Sequence, residues 1–366
     1  MLSVSGYRGV EVKEYESDHL KRNAEELETY LVVRPGELVL NTMWLNHCGL
    51  GISREEGIVS PAYRVYRIDQ RAIDLRFCHH LLRSESYVDE YTRLAYGIRP
   101  NSLQVSADDF GLLPIPLPSL AEQRAIAAFL DRKTAAIDSL IAKKGRLIEL
   151  LQEKRQALIT QMVTKGLDPN VPMKDSGERE LGWIPFGWTV GQIGRFIKLQ
   201  RGIDITGAND VESGFPVISS GGYSGYSPRA MAKGPGVVIG RKGTLGTVFL
   251  VLSDYWPHDT TLWVREFRGS HPRFVFYFLR HLQLERLDTG AANPTLNRNL
   301  VHPIKVAWPE VQSQRMIAEY LDQEITRLDT EEGQLERSLK LLREYRQALI
   351  SAAVTGKIEV PAEEAA

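Results

Sequence analysis

Cysteine is nearly absent: Cys48 and Cys78 are the only two in 366 residues. No Cys/His spacing of the metal-binding kind surrounds them. That excludes a disulfide framework and a zinc module, and it fits a reducing compartment. No apolar run approaches the ~18 residues of a membrane span. Met1 is not followed by a charged segment and an apolar stretch, so no secretory signal is expected and a cytoplasmic location is. Net charge is also close to absent, at −1. This argues against a chain that holds nucleic acid over its whole surface.

Catalytic spacings are missing too. The run GVVIGRKGT at 236–244 has the glycines and lysine of a phosphate loop. It lacks the four-residue interval and the Lys placed directly after the second Gly. Asn293-Pro294 is followed by Thr295, not by the Pro and aromatic residue of an amino-methyltransferase motif. No GxSxG, HExxH or paired-Cys motif occurs. No catalytic residue, no metal ligand and no cofactor is therefore expected in this chain.

What remains is an ordinary globular balance, 43 % hydrophobic and 25 % charged, long enough for two or three domains. The charge is uneven. Residues 1–118 carry 13 Lys+Arg against 17 Asp+Glu, and 309–366 carry 7 against 12. Residues 119–168 carry 9 against 6, and 180–305 carry 14 against 9 with four His besides. The basic excess sits mid-chain.

The chain also repeats itself. EKRQALIT at 153–160 returns as EYRQALIS at 344–351, an offset of 191 residues. At the same offset PSLAEQRAIAAFLD (118–131) aligns with PEVQSQRMIAEYLD (309–322). Pro118, Gln123, Arg124, Ile126, Ala127, Leu130 and Asp131 find identical residues in the second copy, and Val163-Thr164 matches Val354-Thr355. So long a period indicates a duplicated domain, not a solenoid.

Each copy reads as a long helix. Ser119 and Glu122 form a capping-box pattern, and Gly166 and Gly356 stand where such helices stop. Leu130, Ile137, Lys144, Leu151 and Leu158 recur every seven residues, with Ile141 and Ile148 beside them. In the second copy the slots hold Leu321, Leu328, Leu335, Leu342 and Leu349, with Ile325 and Leu339. Such a/d patterning predicts a coiled coil, the two helices burying their stripes on each other. A homotypic oligomer through the stripes is the alternative. Lys144 interrupts one stripe and is expected to snorkel or meet a polar partner that helps set register.

The segments before the helices match more faintly. RFCHHLLR (76–83) resembles RFVFYFLR (273–280), offset 197, and Pro35–Val39 resembles Pro235–Ile239, offset 200. VVIG, TVFLVL and TLWVRE read as strands, with short amphipathic helices near 74–92 and 272–287. The predicted class is α+β: two β-rich units separated by two long helices in an antiparallel coiled coil, a pseudo-twofold repeat. The expected limits are a first unit over 1–117, a helix over 118–166, a linker over 167–180, a second unit over 181–308, a helix over 309–357 and a tail over 358–366.

Two similar units on a rigid spacer suit a reader of double-stranded DNA. Base reading needs Arg, Asn, Gln and small hydroxyls in exposed loops, and phosphate holding needs Lys, Arg and hydroxyls. In the first unit the candidates are Asn41, Thr42, Trp44, Asn46, Ser60, Tyr63, Arg99 and Asn101. In the second they are Arg201, Tyr223, Ser224, Tyr226, Arg241, Lys242, Thr244, Thr260, Asn293, Asn297 and Arg298. Helix or subunit interfaces are assigned to Gln123, Arg124, Leu130, Ile137, Ile148, Leu151, Arg155 and Leu158. Their second-copy set is Gln314, Arg315, Leu321, Leu328, Leu335, Leu342, Arg346 and Leu349. The competing reading is a coiled-coil scaffold that binds no DNA; a salt series of binding separates the two.

PxxxxQRxIAxxLD followed by heptads and RQALI…VT, twice in one chain, resembles the specificity subunit of type I restriction–modification systems. The run LGWIPFGW at 181–188 looks like that family's opening of a recognition domain. The resemblance implies two target recognition domains, each reading half of a bipartite sequence, and paired helices acting as a ruler. It implies two methyltransferase (M) subunits docking here and restriction (R) subunits joining them, with no membrane. The assembled complex would be an adenine-specific methyltransferase and ATP-dependent endonuclease. S-adenosylmethionine, ATP and Mg would belong to those partners. The first unit lacks a counterpart of roughly 169–200, so its N-terminal side is expected to be incomplete, reduced or continued upstream.

Overall fold

The computed structural model describes residues 1–13, 27–97, 104–205, 213–287 and 295–360. Arg99, Asn101 and Asn293 lie outside them. The chain divides into two units: Met1–Arg146 with Leu335–Ala366, and Leu147–Gln334. Two long helices, Leu120–Lys165 and Val311–Val354, each contribute one part to either unit.

In unit 1, β1 (Leu2–Ser5) and β2 (Gly9–Val12) form a hairpin, and β3 (Leu31–Val33) pairs with β6 (Gly57–Val59). The central strand β4 (Leu38–Asn41) lies between β5 (Leu50–Ile52) and β7 (Tyr63–Tyr66), antiparallel to both. Its residues alternate between two cores, as a strand covered on both faces requires. Val39 packs with Leu2, Val33 and Val59. Leu38 and Leu40 pack with Phe77 and Leu81 of α1 (Leu75–Leu82) and Tyr91 of α2 (Glu85–Leu94). The buried Arg83 ties the first hairpin down, donating to the carbonyls of Gly6 (2.8 Å), Cys48 (3.1 Å) and Ser5 (3.3 Å).

Unit 2 repeats the scheme with more strands. β8 (Met173–Asp175) pairs with β9 (Trp183–Pro185), and β10 (Thr189–Gln192) pairs with β18 (Lys305–Trp308). The main sheet runs β11 (Lys198–Arg201), β17 (Thr261–Glu266), β14 (Gly236–Gly240), β15 (Val248–Val251). A second sheet runs β13 (Gly222–Ser227), β12 (Phe215–Ser219), β16 (Trp256–Pro257). In β14, Val237 and Ile239 face the core beneath α3 (Pro272–His281), while Val238 faces Ile218, Val251 and Tyr255. Trp308 stacks on Phe196 at 4.9 Å and meets Phe274 and Phe278 edge-on.

The long helices lie within the limits read from sequence. Ser119 and Glu122 close the capping box in both directions, at 2.8 and 3.3 Å. Gly166 (φ +80°) and Gly356 (φ +71°) follow the helix ends in the left-handed region that glycine adopts without strain. Within each unit the helix segments run antiparallel. In unit 1, Ala127 and Leu130 from the start of the first helix share a core with Ile350, Ala353 and Val354 from the end of the second. In unit 2, Ile159, Met162 and Val163 share a core with Ile317, Ala318, Leu321 and Ile325.

The repeated residues now have separate jobs. Gln123, wholly buried, accepts from the Asp74 N–H (2.8 Å) and donates to the carbonyls of Pro118 (2.9 Å) and Ala72 (3.1 Å). Gln314 accepts from the His271 N–H (2.7 Å) and donates to the Pro309 carbonyl (2.8 Å). Asp131 takes bonds from His80 (2.8 Å) and Arg76 (3.4 Å), and Asp322 from Tyr277 (2.7 Å) and Arg273. Each globular part is thus latched to its own long helix by the same Gln and Asp. Arg124 and Arg315, beside those glutamines, are exposed.

The Arg of the repeated octet sits at an inward heptad slot in both copies. Arg155 pairs with Asp329 and with Glu332 (2.6 Å) in unit 2, and Arg346 pairs with Asp138 (2.9 Å) in unit 1. Asp138 and Asp329 are themselves 191 residues apart, so the crossed pair is duplicated whole. Leu130, Ile137, Leu321 and Leu328 are buried at their slots, while Ile148, Leu151, Leu158, Leu335, Leu342 and Leu349 are partly covered. Lys144 is partly exposed and has no ion pair among the described residues.

Candidate nucleic-acid interface

Strand direction decides which loops meet in unit 2. β17 is antiparallel to both β11 and β14, with Arg201 opposite Leu262 and Gly240 opposite Thr261. The C-terminal ends of β11 and β14 therefore meet the N-terminal end of β17. Arg201, Arg241, Lys242 and Thr260 gather there.

The cluster is built around Asp259. Arg201 donates to its carboxylate at 2.8 Å, His258 Nδ1 lies 3.2 Å away, and Arg241 reaches its carbonyl at 3.5 Å. The Arg201 bond holds the Asp259 carboxyl below its ordinary range, against the opposing pull of burial. Burial, then the nearby Arg201, lowers the Arg241 guanidinium. Two backbone bonds fix the loop, from the Arg241 and Lys242 N–H groups to the Thr260 carbonyl (2.9 and 3.1 Å). The Thr260 hydroxyl accepts from Ser220 N–H (3.2 Å) and faces His258 Nδ1 at 3.0 Å. Gly202 makes the close approach possible: a Cβ there would stand 1.9 Å from the His258 carbonyl oxygen. Asp204, His258 and Asp259 bring donor atoms within 4.8 Å of one another, but Arg201 already occupies Asp259.

Other candidates spread outward. Lys242, Thr244 and Arg298 are exposed. On β13, Tyr223 is 59 % exposed and meets the Tyr226 ring edge-on at 5.4 Å, while the Ser224 hydroxyl donates to the Val217 carbonyl (3.3 Å). The Asn297 side chain is spent on a helix cap, accepting from the Asn299 N–H at 2.9 Å.

Unit 1 gathers its candidates where β4 leaves the sheet, with Asn41 opposite Tyr63. The Tyr63 hydroxyl is raised by burial and moderated by a bond with Asn41. Thr42 donates to the Ala62 carbonyl (3.3 Å) and the Ser60 hydroxyl accepts from the Ala62 N–H (3.4 Å). Trp44 is 56 % exposed, 5.4 Å from the His47 ring, and Asn46 lies 3.4 Å from His47 Nε2. The unit 2 cluster is cationic around a carboxylate; the unit 1 cluster is amide, hydroxyl and aromatic. Sequence reasoning missed His258 and Asp259, whose only signal was adjacency to Thr260.

The family model of the type I restriction modification DNA specificity domain matches residues 185–341. The putative type I restriction enzyme MjaX specificity subunit of Methanocaldococcus jannaschii is 26 % identical over 280 residues, 71 % of this chain and 63 % of that protein. Over these stretches the chain is similar to type I restriction–modification specificity subunits. The Escherichia coli EcoKI specificity subunit is 34 % identical over 83 residues, 23 % of this chain and 18 % of that one. The match thus spans under two thirds of the first of these specificity subunits. The fold also recurs in solved structures. A chain from a type I R-M system, solved for its complex assembly and conformational transition, has a TM-score of 0.73 at 16 % identity. It covers 89 % of this chain and 83 % of its own. The HsdS subunit from Thermoanaerobacter tengcongensis has a TM-score of 0.52 at 18 % identity, covering 89 % and 82 %. No helix among the described residues is long and apolar enough to cross a membrane.

Proposed function

We propose that the chain is the DNA-recognition subunit of a type I restriction–modification complex, in which each unit reads one half of a bipartite target. The observation that carries this reading is the convergence of Arg201, Arg241, Lys242 and Thr260 at one end of the unit 2 sheet. Those groups supply the forked donors and point charge that base edges and phosphates require. The chain does no chemistry of its own. Methyltransferase subunits, and restriction subunits beyond them, bring S-adenosylmethionine, ATP and Mg, and this chain sets where on DNA they act.

The chain co-purified with its cognate methyltransferase subunit should methylate adenine within one bipartite sequence. Mapping methylated positions over a genome-sized substrate reads this directly. Arg241→Ala should relax or abolish methylation of one half-site. Loss of the Lys242 charge should weaken binding across sequences and reduce the salt slope by about 1. Methylation without sequence preference overturns the reading; salt-independent DNA affinity favours the protein-only scaffold.

A further inference from the structure

The Arg201–Asp259 pair sets donors and an acceptor side by side at one end of the unit 2 sheet. Arg201 Nη2 donates to Asp259 Oδ2 at 2.8 Å. Among the described residues, Arg201 Nε and Nη1 have no partner, and the side chain is 54 % exposed. A guanidinium carries five N–H groups and a carboxylate accepts at about four sites. Most of that capacity is unspent, since the other Asp259 oxygen meets only His258 Nδ1, at 3.2 Å.

Backbone bonds fix both residues without help from either side chain. Gly202, directly after Arg201, donates to the Thr261 carbonyl at 2.9 Å. His258, directly before Asp259, donates to the Ile218 carbonyl at 2.9 Å. The Thr261 hydroxyl closes the turn on the His258 carbonyl at 2.6 Å. The pair is therefore held in place and is not itself what holds the loop.

A carboxylate repels phosphates, so Asp259 does not serve to hold a DNA backbone. An acceptor next to two donors has a use on base edges. In the major groove guanine offers N7 and O6 as acceptors, and its cytosine offers the N4 amino group as a donor. Arg201 Nη1, Arg201 Nη2 and the Asp259 carboxylate answer that order as donor, donor, acceptor. An A·T pair presents acceptor, donor, acceptor. It would set two of the three protein groups against a like group.

We propose, on the basis of the DNA-recognition role given above, that Arg201 and Asp259 together read one G·C pair in the half-site of unit 2. Arg201 donates to guanine N7 and O6, and Asp259 accepts from cytosine N4.

The probes are duplexes carrying the target mapped for the full chain with its methyltransferase subunit. Each guanine is replaced in turn by 7-deazaguanine, which lacks the N7 acceptor. Each cytosine is replaced by N4-methylcytosine, whose methyl takes the place of the amino hydrogen facing the major groove. At one G·C pair both replacements should weaken binding of the complex roughly tenfold. In Arg201→Ala the 7-deazaguanine penalty there should vanish. In Asp259→Ala the N4-methylcytosine penalty should vanish, and discrimination against A·T at that pair should fall. The parent complex suffices to refute: a specific target with no pair sensitive to both replacements overturns the proposal, however the variants fold. Penalties that persist in both variants overturn it as well. An N4-methylcytosine penalty that survives in Asp259→Ala, while the 7-deazaguanine penalty disappears, makes Asp259 a support for Arg201 and overturns the reading of cytosine. Failure of the DNA-recognition role itself looks different: the complex then shows no sequence preference on any duplex, which overturns both.

Discussion

Replacing Gln314 by Leu tests whether the repeated motif is a latch. The Gln314 side chain is 2 % exposed and holds two backbone groups, the His271 N–H at 2.7 Å and the Pro309 carbonyl at 2.8 Å. Leucine leaves both without a partner, at a cost of about 1–3 kcal/mol each. The added apolar burial returns about 1–2 kcal/mol. The expected net loss is therefore about 2–3 kcal/mol, a fall of roughly 1 M in urea midpoint for m near 2–3 kcal/mol/M. Tryptophan emission is the assay, because Trp183, Trp188, Trp256, Trp263 and Trp308 all lie in unit 2 and Trp44 alone lies in unit 1. Arg315→Ala is the control: it is equally part of the repeat but exposed, and should stay within about 0.5 kcal/mol. Should Gln314→Leu behave like Arg315→Ala, the repeat is not held for architecture and the reasoning fails.

Arg155→Met leaves Asp329 and Glu332 without their shared cation and should lower unit 2 stability by about 1–3 kcal/mol. A double-mutant cycle with Asp329→Asn should return a coupling of about 0.5–1 kcal/mol, and a zero coupling removes the register role. At Asp131, burial raises the carboxyl, but the bonds from His80 and the charge of Arg76 outweigh it and the net shift is downward. A depressed carboxylate stabilises above its ordinary pKa and loses that stabilisation as pH falls. Unit 1 should therefore weaken from about pH 5 downward, and Asp131→Asn should flatten that slope by urea titration. Burial pushes the Cys78 thiol up to about 12 and raises Cys48. Neither should react with a disulfide reagent at about pH 8 until urea unfolds the chain, and fast native labelling refutes their burial.

Periodicity and repetition made the helices, the strands and the duplication legible, because each is a local pattern. The Ser119–Glu122 box and the heptads at Leu130 and Leu321 needed no tertiary knowledge. The pairing of Arg155 with Asp329, and of Arg346 with Asp138, did. Sequence placed Gln123 and Arg124 together as interface residues, and only burial separates the latch from the exposed neighbour. At the candidate site, Arg201 and Asp259 are brought together by strand direction, which spacing along the chain does not carry. Asn297 was attractive as an amide in a loop, but its side chain caps a helix. Thr42 and Ser60 likewise spend their hydroxyls on holding a turn.

Unit 2 is one uninterrupted run, Leu147–Gln334, whereas unit 1 is assembled from the two ends of the chain. During synthesis the second unit can therefore close first. The core of the first waits for Ile350, Ala353 and Val354, which are made after all of unit 2. A nonsense or frameshift change near residue 340 takes away Ile350, Ala353 and Val354 and leaves the first unit with an open hydrophobic face, while Leu147–Gln334 stays whole. Damage to the sequence that follows unit 2 is thus registered in residues that precede it.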